Sequence, residues 1–102
     1  MPASTLQLKG DWRVRLYQQT AQIELEQMGG ETVLLNVATS KFCLLNRSAA
    51  VVWNELKQPQ TLDSITAALC RTFQGVSEPQ AEKDTREILE QLHNQGFIVS
   101  ID

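Results

Sequence analysis

Few side chains in this sequence are equipped for covalent or acid–base chemistry. Cys43 and Cys70 are its two thiols and His93 is its single imidazole. Both cysteines sit inside apolar runs, they form no C-x-x-C pair, and no histidine is near either in sequence. A zinc centre needs three or four Cys or His ligands, so no metal is expected. Reduced thiols acting as small buried hydrophobes fit the pattern better. Nucleophilic catalysis needs a nucleophile beside a base. The serines and cysteines have only His93 to draw on, and no G-x-S-x-G elbow occurs. Gly29-Gly30 reads as a hairpin turn, not a loop that cradles phosphate. Carboxylates are plentiful over 78–90, where Glu78, Glu82, Asp84, Glu87 and Glu90 outnumber Lys83 and Arg86. They fall on a face that reads as solvated and offer no cleft. The residues therefore imply no enzyme and no cofactor.

Behind these residues stands one small domain. The chain has 102 residues, and its hydrophobic fraction of 42% is enough for a packed core and excludes wholesale disorder. The net charge of −3 argues against a nucleic-acid partner held by phosphate contacts. No apolar stretch approaches the roughly 20 residues that span a bilayer. The N-terminal residues lack the apolar core of a secretory signal. A cytoplasmic protein without a membrane partner is expected.

The hydrophobic period changes half-way along the chain. Up to about residue 46 it alternates as strands do, and afterwards it repeats as helices do. Trp12, Val14 and Leu16 alternate with Arg13, Arg15 and Tyr17, which predicts a half-buried strand over 12–17 within an extension of residues 1–22. This strand is expected to pair with the first strand of the main domain, 23–102. Alternatives are folding back onto a free sheet edge or exchange between two copies. Three strands follow, near 23–26, 32–36 and 41–46, joined by short turns, the first at Met28-Gly29-Gly30, as an antiparallel meander. Asn46 or Ser48 can cap a helix through Leu56, with Ala49, Val52, Trp53 and Leu56 in one stripe. Thr61 caps a second helix, which buries Leu62, Ile65, Leu69 and Phe73 and ends at Gly75. Ser77-Glu78-Pro79-Gln80 opens a third helix to about Gln95, with Ala81, Thr85, Ile88, Leu89 and Leu92 inward. Gly96 stops it, and residues 97–101 form a short strand or extended tail. The class is α+β, in a winged helix-turn-helix-like order.

The ordered segments V-L-L-N-x4-K-F-C-L-L-N-R-S-A-A-x2-W-x2-L (33–56), T-L-D-S-I-x3-L (61–69) and D-T-x2-I-L-x2-L-x3-G-F-I (84–98) resemble the PqqD family. These are small peptide chaperones, also described as RiPP recognition elements. The resemblance covers about residues 23–99. It implies binding of the leader of a ribosomally made precursor peptide and its presentation to a modifying enzyme, such as a radical SAM protein, a leader-removing protease or another maturase. It also implies that the leader adds as a strand beside the third strand of the meander, in a groove against the third helix. On this sequence those positions are Lys41, Phe42, Cys43, Leu44 and Leu45, with Asp84, Thr85, Ile88, Leu89 and Leu92.

The residues are compatible with that mode. Sheet edges not in use are blunted by charge, proline or cover, and 42–45 carry no charge and no proline. Strand addition draws affinity from main-chain bonds and specificity from alternate side-chain pockets. Ile88 and Leu92 read as core, whereas Thr85 and Leu89 lie one residue round and can border a groove. Cys43 faces either the core or the other face of the sheet. Acidic residues on the third helix can steer a leader bearing Lys or Arg. Other readings are a winged-helix DNA-binding regulator, or a subunit-assembly module using the same edge; a homodimer is a further candidate assembly. In the regulator the recognition helix would carry five acidic and two basic residues over 78–90, which phosphate would repel.

Overall fold

The computed structural model describes residues 15–101. Their order is β1 (Leu16–Gln19), β2 (Ile23–Met28), β3 (Glu31–Asn36), β4 (Lys41–Leu45), α1 (Arg47–Glu55), α2 (Leu62–Thr72), α3 (Glu78–Asn94) and β5 (Ile98–Ile101). The expected α+β arrangement of meander, three helices and short final strand is what the chain adopts. Trp12 and Val14 of the predicted first strand lie outside the described residues.

β2, β3 and β4 form an antiparallel sheet in that order. Gly29 and Gly30, at φ 60° and 85°, make the two-residue turn between β2 and β3. Positive φ at both central residues gives this turn the twist that a hairpin needs. Leu34 and Asn36 of β3 and Cys43 and Leu45 of β4 turn inward. Phe42 and Leu44 turn outward, with 70% and 58% of their surface exposed.

β1 corrects an expectation. It does not lengthen the meander; it pairs antiparallel with β5, Leu16 opposite Ile101 and Gln19 opposite Ile98. Its other side is also bonded. Tyr17 N–H donates to the Gln60 carbonyl at 2.8 Å and Gln60 N–H returns to the Tyr17 carbonyl at 3.0 Å. Gln18 and Gln19, beyond the strand predicted over 12–17, thus belong to β1. The pairing could not be inferred from residue type, because β5 is at the opposite end of the sequence.

Helix starts follow local chemistry. Asn46 Oδ1 accepts from Ala49 N–H at 2.8 Å, Thr61 Oγ1 from Ser64 N–H at 3.2 Å and Ser77 Oγ from Gln80 N–H at 3.3 Å. Each satisfies a donor that the first turn leaves free. Val52, Trp53, Leu56, Leu62, Ile65, Leu69, Leu89, Leu92, Phe97 and Leu34 fill one core between the helices and the inner face of the sheet. Phe73, expected in the buried face of α2, packs at the margin of this core instead, under the Arg47 guanidinium at 5.4 Å. Among the described residues no helix is long and apolar enough to cross a membrane.

Candidate peptide-binding groove

β4 is an edge strand of the described sheet, and its outer border carries main-chain groups that β3 does not pair. Two features fix the phase of the ladder. The glycine turn closes on Met28 and Glu31, and Val37 N–H donates to the Gln22 carbonyl at 3.1 Å. Both direct the main-chain groups of Glu31, Val33 and Leu35 towards β2, and hence those of Thr32, Leu34 and Asn36 towards β4. In the β3–β4 register these meet Leu45, Cys43 and Lys41. Alternation then leaves the N–H and C=O of Phe42 and Leu44 on the open border, while Cys43 N–H points into the sheet. No described strand pairs with β4 on that side.

A trough runs between this border and α3. Its first part is a cavity of about 310 Å³ whose walls include Cys43, Leu45, Ala49, Ile88, Gln91 and Leu92. A second cavity of about 270 Å³ continues it past Asn46, Ser48, Ile88 and Gln91 to Asp84 and Glu87. The helix geometry explains which residues line it. Moving round α3 from its buried stripe at 100° per residue, Ile88 comes first, then Asp84 and Gln91, then Glu87.

Of the residues named from sequence, Cys43, Leu44, Leu45, Ile88 and Leu92 line the first cavity and Asp84 the second. Lys41 is exposed at the far end of β4, and Phe42 stands on the outer face of the sheet. Thr85 and Leu89 are different: both are wholly buried and line neither cavity. The expectation that they border a groove is corrected. The stripe of α3 runs through Ala81, Thr85, Leu89 and Leu92, so its centre is shifted by one residue and Ile88 becomes the wall. Ala49 and Gln91 were not foreseen as lining. The sequence carried one usable signal, that Ile88 sits at the margin of the stripe.

Asn36 braces the far end of the sheet and lines neither cavity, whereas Cys43 and Asp84 belong to the trough walls. Asn36 is 4% exposed, and its Oδ1 accepts from Ala38 and Thr39 N–H at 3.0 and 3.2 Å while its Nδ2 donates to the Gly96 carbonyl at 3.2 Å. It thereby ties the β3–β4 turn to the segment that leaves α3. Burial pushes the Cys43 thiol above its usual range, so it stays protonated and apolar in the trough wall. Asp84 Oδ1 accepts from Gln80 Nε2 at 2.9 Å. Among the described residues no group of three or more His, Cys, Asp or Glu is placed to hold a metal ion.

The fold is similar to that of solved structures. One is described as "TbiB1 in Complex with the TbiA(beta) Leader Peptide", with a TM-score of 0.69, 23% identity, and coverage of 79% of this chain and 93% of that one. Another is described as "Lasso peptide synthetase B1 complexed with the leader peptide", with a TM-score of 0.69, 20% identity, and coverage of 81% and 96%. At these identities the likeness establishes a shared fold. No curated protein sequence matches this chain. The profile of the family described as Coenzyme PQQ synthesis protein D (PqqD) matches residues 31–98, from the start of β3 to the start of β5. That match takes in β4, α3 and the trough between them, and on it the chain belongs to the PqqD family.

Proposed function

We propose that this protein binds the leader segment of a ribosomally made precursor peptide as an added strand on β4, seated against α3, and presents it to a modifying enzyme. The enzyme belongs to the maturation machinery of such peptides, for example a radical SAM protein or a leader-removing protease. The protein itself contributes recognition and no catalysis. One observation carries this reading: the main-chain groups of Phe42 and Leu44 that β3 does not pair adjoin a trough whose walls include Leu45, Ala49, Ile88 and Leu92. Two structures of the same fold, described as complexes with leader peptides, support it.

Energetics require both features. Phe42 and Leu44 offer one N–H and one C=O each, and each bond contributes a net of about 0.5–1.5 kcal/mol. Ordering a flexible peptide costs about 2–5 kcal/mol. Main-chain bonds alone therefore give weak binding. Apolar side chains buried in the trough, at about 25 cal/mol per Å², supply the remainder.

The test is amide hydrogen exchange on the full chain, with and without candidate leader peptides. Phe42 and Leu44 amides are expected to gain protection on binding, while Cys43, already inside the ladder, does not. Tight binding with no change at Phe42 and Leu44 would show that the peptide sits elsewhere. Failure of every candidate leader from neighbouring reading frames to bind would remove the proposal altogether.

A further inference from the structure

The trough changes character along its length. Beside Leu44 and Leu45 it is walled by Ile88 and Leu92. Beside Asn46 and Ser48 it is walled by Asp84 and Glu87. α3 thus runs antiparallel to β4, and the acidic end lies beyond the carboxyl end of the strand. We infer that the chain selects leaders in which an apolar residue is followed or preceded, two positions away on the same face, by lysine or arginine. This rests on strand addition to β4 and names the chemical class of peptide that site takes.

The spacing comes from two regular structures lying side by side. Ile88 to Asp84 is four residues of helix, about 6 Å along its axis. Two residues of an extended strand cover about 6.8 Å and return the side chain to the same face. A peptide side chain packed on Ile88 and Leu92 therefore places its second neighbour, in the direction of α1, beside Asp84 and Glu87. The order in sequence depends on strand direction: an antiparallel peptide carries the basic residue N-terminal to the apolar one, a parallel peptide the reverse.

Charge at that end is one-sided. Glu87 is exposed and Asp84 half-buried, and the partner of Asp84 is the neutral Gln80 amide, which orients the carboxylate without cancelling it. Glu31 adds a third carboxylate at the rim of the apolar part. Lys83, four residues before Glu87 on α3, is exposed and lines neither cavity, and the other basic residues nearby are directed elsewhere. Arg47 lies over the Phe73 ring at 5.4 Å, Arg86 pairs with Glu82 at 2.9 Å, and Lys41 stands at the opposite end of β4. None of the three lines either cavity. The same arrangement disfavours an acidic segment, because it would set like charges together as the strand zips on.

The experiment is selection of a displayed library of random peptides on the immobilised full chain, at physiological and at raised salt. The enriched pool is expected to carry Lys or Arg two positions from an apolar residue, with the bias weaker at raised salt. A peptide synthesised from that pool should lose about tenfold in affinity when its basic residue becomes Glu. On Glu87→Lys, and more strongly on Asp84→Lys with Glu87→Lys, the selected charge should invert; unchanged thermal unfolding of the exposed-site Glu87→Lys variant guards against misfolding. A pool with alternating apolar residues but no charge preference, whose members still protect the Phe42 and Leu44 amides, would overturn this inference and leave strand addition standing. A pool that leaves those amides unprotected, or no enrichment at all, would overturn both.

Discussion

β1 and β4 are both short strands with apolar residues, and the protein treats their borders in opposite ways. β1 is bonded on both sides: β5 takes one, and Gln60 and Leu56 take the other through Tyr17 and Gln19. The Gln19 side chain adds a bond to the Trp53 carbonyl at 2.8 Å. Among the described residues β4 is paired only with β3, and the residues whose main-chain groups face its other border carry large exposed apolar side chains. A small domain has few main-chain groups to spare, and an apolar edge left open is a hazard for aggregation. The contrast teaches that this chain seals one strand with loop and side-chain groups and, among the described residues, leaves the border of the other unsealed.

The largest effect expected is from Leu89→Asp. That residue is wholly buried, so a carboxylate there should cost at least about 4 kcal/mol and abolish cooperative unfolding. If the fold survives and only peptide binding suffers, Leu89 belongs to the groove after all. Proline substitutions separate the inner and outer sides of β4 next. Cys43→Pro removes an N–H inside the ladder and should destabilise by about 3 kcal/mol. Leu44→Pro removes one at the open border, so it should keep the thermal midpoint near that of the parent and lose peptide binding. Equal damage from both would disprove the assigned phase of the ladder. Ile88→Asp or Leu44→Asp should weaken peptide binding by about 2 kcal/mol with folding intact, as measured by calorimetry.

Smaller effects probe the sealed border. Gln19→Ala should lower stability by about 1 kcal/mol in denaturant titration and leave peptide affinity unchanged. Alkaline pH acts on both regions. Burial raises the Cys43 thiol and the Tyr17 phenol above their usual values, Arg15 partly offsetting the latter. Above the unfolded thiol value of about 8.5 the unfolded chain holds fewer protons than the folded one. Stability is therefore complete below that pH and falls as pH rises towards the folded values. Tyr17→Phe should flatten the decline at the upper end; an unchanged alkaline profile in that variant would show that the phenol does not contribute.

Much of this architecture could be read from residue types. The caps at Asn46, Thr61 and Ser77, the glycine turn and the sheet alternation are local, and each follows from chemistry within a few residues. What escaped reading was non-local or finely balanced. The partner of β1 is about eighty residues away in sequence, and no pattern in a four-residue strand names it. On α3 the polar Thr85 occupies the middle of the buried stripe, its hydroxyl without a hydrogen-bond partner. A hydroxyl at that position makes the stripe look centred on Ile88 and Leu92, one residue from where packing puts it. β4 and α3 were thus legible as the two elements that flank the trough, but not which side of α3 turns to it, nor that Ala49 and Gln91 line it and Lys41 and Phe42 do not.

The pairing of Leu16 with Ile101 has a mechanical side. Because the chain enters at β1 and leaves at β5 at the same end of that ladder, tension applied between the two would peel it open one bond at a time, like a zip. A strand lying along β4 and tugged lengthwise would instead load its bonds together, in shear.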